Sequence, residues 1–267
     1  MAIKLLATDL DGTLLRSGKP VSAGNIAAAQ AAAREGTVVT IATGRMYQAA
    51  LPVAKALGLD VPIITYNGAL IKSTSGKIYY EHYLDEDICR RITDFCAERK
   101  WYLQSYSGDN LYYSDSGEFS KRYELSQKVI GEEVGYAGMR KQVSRMYKML
   151  IITAGADVTQ NWMAELRAEF GDSISLTQSA PDFIEIIAPG VSKAAGLQKL
   201  ADILDIDICE TMAIGDANND LPMLRAAGFS VAMGNAADDI KAVTNAVTGN
   251  CDDDGWAQAV NQYILKQ

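Results

Sequence analysis

Short, nearly continuous apolar runs alternate with helical stretches over the first hundred residues, and this alternation constrains the chain more than any other feature. Ile3–Thr8 has the pattern of a strand covered on both faces. Ser22 is placed to cap an alanine-rich helix that Gly36 ends. Val38–Ala42 reads as a second buried strand, followed by Thr43-Gly44-Arg45 and a helix reaching Gly58. Ile63–Tyr66 reads as a third strand, ending at Asn67-Gly68. Such a βαβαβ succession predicts a parallel sheet with helical crossovers.

The same pattern returns near the end of the chain. A helix is expected over Ser192–Leu204, a strand over Thr211–Gly215, and a short helix over Asp220–Ala227 stopped by Gly228. A strand over Phe229–Met233, a helix from about Asn235 and an amphipathic helix over Gly255–Leu265 follow. The middle differs. Ile78–Leu84, Trp101–Tyr106, Leu111–Ser114 and Tyr147–Thr153 alternate and are Tyr-rich, as in a sheet with one covered face. Helices fit Glu86–Lys100, Gly117–Lys128 and Val158–Phe170, and Asp109-Asn110 fits a hairpin turn. The expected architecture is therefore α/β: a doubly wound parallel-sheet core from residues 1–81 and 188–267, with an α+β insert at 82–187.

The 267 residues carry 25 Lys+Arg against 33 Asp+Glu, a net charge of −8, and 48% are hydrophobic. That is the balance of a folded globular protein, and its acidity argues against nucleic acid as a partner. No apolar run approaches the roughly 18–20 residues of a membrane span. Met1-Ala2-Ile3-Lys4 leads straight into a strand, so no signal peptide is expected and a cytoplasmic location is the simplest expectation. Cys89, Cys96, Cys209 and Cys251 form no metal or redox spacing. Cys89 and Cys96 are expected on the buried face of one helix. His82 is the one histidine, so the usual His-dependent triads are excluded. Carboxylates, lysine and hydroxyls must carry any chemistry.

The strongest chemical signal is Asp9-Leu10-Asp11-Gly12-Thr13, directly after the first strand. Side chains two apart on an extended backbone point the same way, so Asp9 and Asp11 are expected to converge. Ligands of open α/β sheets bind outside the carboxyl ends of the strands. Two close carboxylates in such a place share a proton or bind a hard cation; the bland alternative is a polar loop that caps the next element. Gly12 and Thr13 suit close backbone approach to an anion. A second cluster, Gly215-Asp216-Ala217-Asn218-Asn219-Asp220, follows another strand and alone could be a turn with an N-cap. Two carboxylate-bearing strand ends in one sheet can together build a magnesium site. Thr43 offers a hydroxyl and a backbone N–H at a helix start, a place for an anion. Lys193 opens a helix against the macrodipole, a misfit unless an anion lies nearby. Arg45 is either a surface helix charge or a substrate contact.

Taken in order, Asp9-Leu10-Asp11-Gly12-Thr13, Thr43-Gly44-Arg45, Lys193 and Gly215-Asp216-x-x-Asn219-Asp220 resemble the four motifs of the haloacid dehalogenase superfamily of aspartate-nucleophile phosphatases. Asn67-Gly68-Ala69, Met233-Gly234-Asn235-Ala236 and Asp254-Gly255 resemble its Cof-type branch, which carries a large α/β cap after the second motif. Core similarity covers about residues 1–80 and 189–267, and the cap matches by position and length. Ala194, where the branch has glycine, departs from the pattern.

The resemblance implies a Rossmann-like core with a cap, and a Mg²⁺-dependent phosphomonoester hydrolase acting on small sugar phosphates or related metabolites. It implies Asp9 as nucleophile and Asp11 as general acid and base. Mg²⁺ is then expected on the Asp9 carboxylate, the Asp11 carbonyl and Asp216. Thr43, Lys193, Asn219 and the N–H groups near Leu10 and Gly44 would hold the phosphoryl oxygens. Arg45, Asn67 and Asp220 would support, Asp220 by orienting Lys193 or the metal loop. A phosphosugar mutase would use the same aspartyl-phosphate but exclude water, whereas a non-catalytic binding module would have lost a reactive group. The cap is expected to close as a mobile lid and to select substrate; Tyr106, Tyr112, Tyr113 and Glu185 are candidate contacts there, though core packing or strand-pair contacts explain them as well. Neither the substrate nor the oligomeric state is written in the sequence.

Overall fold

Leu5–Thr8 is an inner strand of a five-stranded parallel sheet whose order is Ala246–Val247, Phe229–Ala232, Thr211–Gly215, Leu5–Thr8 and Val38–Ile41. The computed structural model describes residues 2–16, 18–58 and 61–266. Leu5, Leu6, Ala7 and Thr8 are wholly buried, as a strand covered on both faces must be. From this strand the chain first builds outward to Val38–Ile41 and later, on the other side, to Thr211–Gly215. The switch point therefore falls between Leu5–Thr8 and Thr211–Gly215, and ligands of doubly wound sheets bind beyond such a point.

Helices cover both faces. The side chains of Leu5 and Ala7 join Leu197, Leu200, Met223 and Leu224 in one core cluster, which belongs to the helices Lys193–Ile203 and Leu221–Ala226. The helix Ala23–Arg34 packs on Gly255–Val260. On that side the buried Trp256 indole donates to Thr8 Oγ1 at 2.8 Å. Ser22 caps the first helix by accepting from Asn25 N at 3.1 Å, a contact worth about 1 kcal/mol.

The expected third parallel strand is different. Pro62–Thr65 meets the parallel sheet at a bridge from Ala42 to Ile64 and where Thr40 Oγ1 donates to Pro62 O, and leads an antiparallel meander with Leu70–Ser73 and Ile78–Glu81. The turn Tyr66–Gly68 reverses the chain, with Tyr66, Asn67 and Gly68 all at positive φ. The helix expected from about Asn235 is only Asp238–Lys241, and the last amphipathic helix passes at Asn261–Leu265 into a π-helical turn.

Contacts divide the chain into two units, one running to Glu81 and resuming at Ser192, the other His82–Val191. The return crossing lies between Val191 and Ser192 rather than at 187/188, because Val191 N donates to Ala188 O and closes a turn onto the inserted unit. That unit holds a six-stranded sheet ordered Ser175–Thr177, Phe183–Ile187, Met146–Ile152, Leu103–Ser107, Asn110–Tyr113 and Glu132–Glu133. All neighbours are antiparallel except the last pair. The hairpin turn is Gly108-Asp109, both at positive φ, and Asn110 already starts a strand. Asp85 caps the helix Glu86–Arg99 through Asp87 N and Ile88 N. Cys89, Ile92, Phe95 and Cys96 form its buried stripe, and Phe95 meets Phe170 of the helix Ala156–Phe170 edge-on at 5.5 Å. Among the described residues no helix is long and apolar enough to cross a membrane.

Candidate active site

Beyond the carboxyl ends of the central strands, Asp9, Asp216 and Asp220 bring one carboxylate oxygen each within 4.8 Å of one another. Asp9 follows its strand directly, and its N–H donates to Ile214 O at 3.0 Å, which ties the two strand ends together. Lys193 enters between the acids. Its Nζ lies 2.5 Å from Asp9 Oδ1 and 2.6 Å from Asp220 Oδ1, with the ammonium wholly buried. The misfit of a lysine at a helix start is resolved by these anions.

The Lys193 helix reaches this place because small residues let it. A Cβ on Gly68 would collide with Ser192 O, and one on Gly196 would meet Ile64 and the Gly68 Cα. Asn67, buried and left-handed, donates its N–H to Thr43 O at 3.0 Å. Asn67-Gly68 is thus the seat of the lysine helix.

Asp220 uses both oxygens: Oδ1 accepts from Lys193, and Oδ2 accepts from Asp216 N and Ala217 N, each at 3.0 Å. It thereby links the Asp216 loop to the lysine. Asn219 stands half-buried in the same turn, Asn218–Asp220.

Asp11 departs from expectation. The chain does not stay extended past Asp9, because Leu10 O accepts from both Thr13 N and Leu15 N and so turns the loop. The Asp11 carboxylate is consequently not one of the clustered acids. It is gripped instead by Arg45, whose Nε and Nη2 donate to Oδ2 at 2.7 Å and Oδ1 at 2.5 Å. Gly12 and Thr13 serve Asp216: a Gly12 Cβ would strike its carboxylate, and Thr13 Oγ1 donates to Asp216 Oδ1 at 2.6 Å.

Thr43 also differs in detail. Its N–H is committed to Ile64 O at 2.9 Å, and the helix begins only at Tyr47. The buried Thr43 hydroxyl, which accepts from Arg45 N at 3.1 Å, is the part left to donate to a ligand. Two further links carried no readable signal beyond their motif. Asn235 Nδ2 donates to Gly12 O at 2.9 Å while its Oδ1 accepts from Cys251 N at 2.9 Å, so it joins three loops. Arg16 pairs with Asp254 at 2.7 Å.

The electrostatics follow from burial. Burial pushes Asp9 well above the usual carboxylate range; Lys193 pulls it down, while Asp220, Asp216 and Asp11 push it further up. Burial also raises Asp216, to about 6, against the Thr13 hydroxyl. For Lys193 burial alone would act downward, but Asp220 and Asp9 override it and hold the ammonium above the ordinary lysine range. Two of these three carboxylates pair with the one lysine, and the oxygen donors of the three fit a hard divalent cation such as Mg²⁺. With Asp220 fully engaged, Asp9 and Asp216 are the side chains able to hold it.

Residues 6–260 match the family described as haloacid dehalogenase-like hydrolase. The chain is 31% identical to 5-amino-6-(5-phospho-D-ribitylamino)uracil phosphatase YwtE of Bacillus subtilis, over 99% of each chain. Its fold matches a haloacid dehalogenase-like hydrolase from Bacteroides thetaiotaomicron with TM-score 0.86 and 27% identity, over 97% of this chain and 98% of the other. It also matches the subclass IIB sugar phosphatase BT4131 with TM-score 0.86 and 25% identity, over 97% and 98%.

Proposed function

The chain belongs to the haloacid dehalogenase-like hydrolases and is a phosphatase of that family; from that premise we propose that it is a Mg²⁺-dependent phosphomonoesterase for small polyhydroxylated metabolites, working through an aspartyl-phosphate on Asp9. The observation that carries the reading is the buried Lys193 ammonium bridging Asp9 and Asp220 beside Asp216. A lysine so placed holds the nucleophile still and keeps positive charge where a phosphoryl group must arrive.

In the first half-reaction an Asp9 oxygen attacks phosphorus and the bond to the alcohol oxygen breaks. Asp11 gives that oxygen a proton. In the second half-reaction water attacks the aspartyl-phosphate, Asp11 takes the water's proton, and inorganic phosphate leaves with Asp9 restored. Lys193, the Thr43 hydroxyl, Asn219 and the N–H groups near Leu10 and Gly44 bind the phosphoryl oxygens. The Asp9 carboxylate, the Asp11 carbonyl and Asp216 would hold Mg²⁺, which would supply charge that offsets repulsion between nucleophile and phosphate.

The substrate class follows from the relatives' names, a phosphoribityl compound in one and sugar phosphates in the other. Both are phosphate esters on polyhydroxylated carbon chains. The 82–191 unit is the element proposed to read that organic part, since the core acids and lysine recognise only phosphate and metal. Substituting its polar side chains should reorder kcat/KM across a phosphomonoester panel without changing the metal requirement.

The decisive experiment is phosphate release with and without Mg²⁺ across sugar and polyol phosphates, alongside Asp9→Asn. That variant keeps shape but loses the attacking charge, so turnover should fall by several orders of magnitude. Retention of more than about a tenth of wild-type turnover would reject the covalent route. Phosphate release that requires an acceptor sugar would identify a phosphotransferase instead.

A further inference from the structure

We infer that Arg45 is the positioning residue of Asp11, fixing its carboxylate for proton exchange with the leaving alcohol and the attacking water. The inference rests on the acid–base role proposed for Asp11 and adds what holds that group in place.

The Asp11 side chain is 57% exposed, and among the described residues the donors to its carboxylate are the two Arg45 nitrogens. An aspartate that open would sample several rotamers in water. The guanidinium fork meets both oxygens at once, which sets the rotamer and the plane of the carboxylate together. Each oxygen has two acceptor directions. Arg45 takes one on each, so the others remain for a proton donor or acceptor.

Arg45 is itself anchored. Its N–H donates to Thr43 Oγ1 at 3.1 Å, its carbonyl accepts from Tyr66 N at 3.0 Å, and its side chain is only 15% exposed. It therefore precedes the helix that starts at Tyr47 and does not decorate its surface. The pair joins the loop after Leu5–Thr8 to the loop after Val38–Ile41, and so refers the position of Asp11 to the rigid sheet. A lysine could supply the charge but only one point of contact.

The test compares kcat/KM on an alkyl phosphate with that on p-nitrophenyl phosphate, whose leaving group needs little protonation. The ratio of the two is independent of how much of a preparation is folded. Arg45→Ala should lower the alkyl value by about 10- to 100-fold and the aryl value by no more than about threefold. Arg45→Lys should fall between wild type and Arg45→Ala. In an Asp11→Asn background, Arg45→Ala should leave the ratio unmoved. Equal losses on both esters would overturn the inference, making Arg45 a phosphate contact. A ratio that still moves without Asp11 would overturn it too. Asp11→Asn alone reports separately on the acid–base reading: equal losses on both esters would reject that reading, and the inference with it.

Discussion

The Lys193 ammonium and the Asp220 carboxylate, both fully buried, meet at 2.6 Å beneath the candidate site. Asp220 spends its second oxygen on two backbone N–H groups of the Asp216 loop, so one side chain sets the lysine and the loop together. Removing one member of a buried pair leaves the other uncompensated, at a cost of about 3–5 kcal/mol. Asp220→Ala should sit near about 3 kcal/mol, because Lys193 keeps Asp9. The urea midpoint of the core transition measures this, and an unchanged midpoint would rule the pair out as a stabilising element.

Asp216 gives a pH dependence with a defined sign. Burial raises its folded value to about 6, above the ordinary 3.8. The folded state thus binds a proton more tightly than the unfolded chain, and this group's contribution to stability is lost as pH rises from about 4 through about 6. A divalent cation competes with that proton. Saturating Mg²⁺ should therefore raise Tm more at about pH 7.5 than at about pH 5. EDTA should abolish turnover, and Ca²⁺ should restore it poorly because it favours more ligands at longer distances. Equal Tm shifts at the two pH values would remove Asp216 from the metal site.

Much of this site was legible because its chemistry sits at strand ends that announce themselves. Leu5–Thr8 and Thr211–Gly215 are apolar runs that stop at aspartates, and the structure puts both at the switch point. Lys193 was visible as a charge in the wrong place on a helix. What was not legible depends on turns. Leu10 O receives two N–H groups, and that bend sends Asp11 to Arg45, a partner 34 positions away. Pro62–Thr65 is apolar on either pairing, so its composition could not say that the left-handed run Tyr66–Gly68 would fold it back into a meander. The two-residue strands Ala246–Val247 and Glu132–Glu133 are too short to show a period.

The cysteines offer a labelling prediction. Cys89 and Cys96 are wholly buried, and burial pushes both thiols up, Cys89 to about 12. Cys209 is exposed. A small neutral alkylating reagent at about pH 8 should modify Cys209 first and leave Cys89 and Cys96 unmodified until denaturant is added. Peptide mass analysis reads this directly, and early modification at Cys96 would contradict the packing of the helix Glu86–Arg99.

The inserted unit holds its own buried ion pair, Lys148 Nζ to Glu185 Oε1 at 2.8 Å, with both side chains at most 2% exposed. Glu185 pairs across the sheet with Leu150, two positions from Lys148, so the two charges lie diagonally on one sheet face. Burial acts to lower the Lys148 pKa, but Glu185 and Tyr123 outweigh it and hold the ammonium charged. Tyr106, cross-strand from Lys148, lies under that ammonium at 4.9 Å. Desolvating both charges costs nearly what their attraction returns, whereas removing one partner of a buried pair costs about 3–5 kcal/mol. Glu185→Leu and Lys148→Met should each destabilise the unit by about that amount, and the double variant by much less than their sum. A thermal or urea double-mutant cycle supplies the number. Additive losses would mean that the two charges are held by other groups and that their contact contributes nothing to the fold.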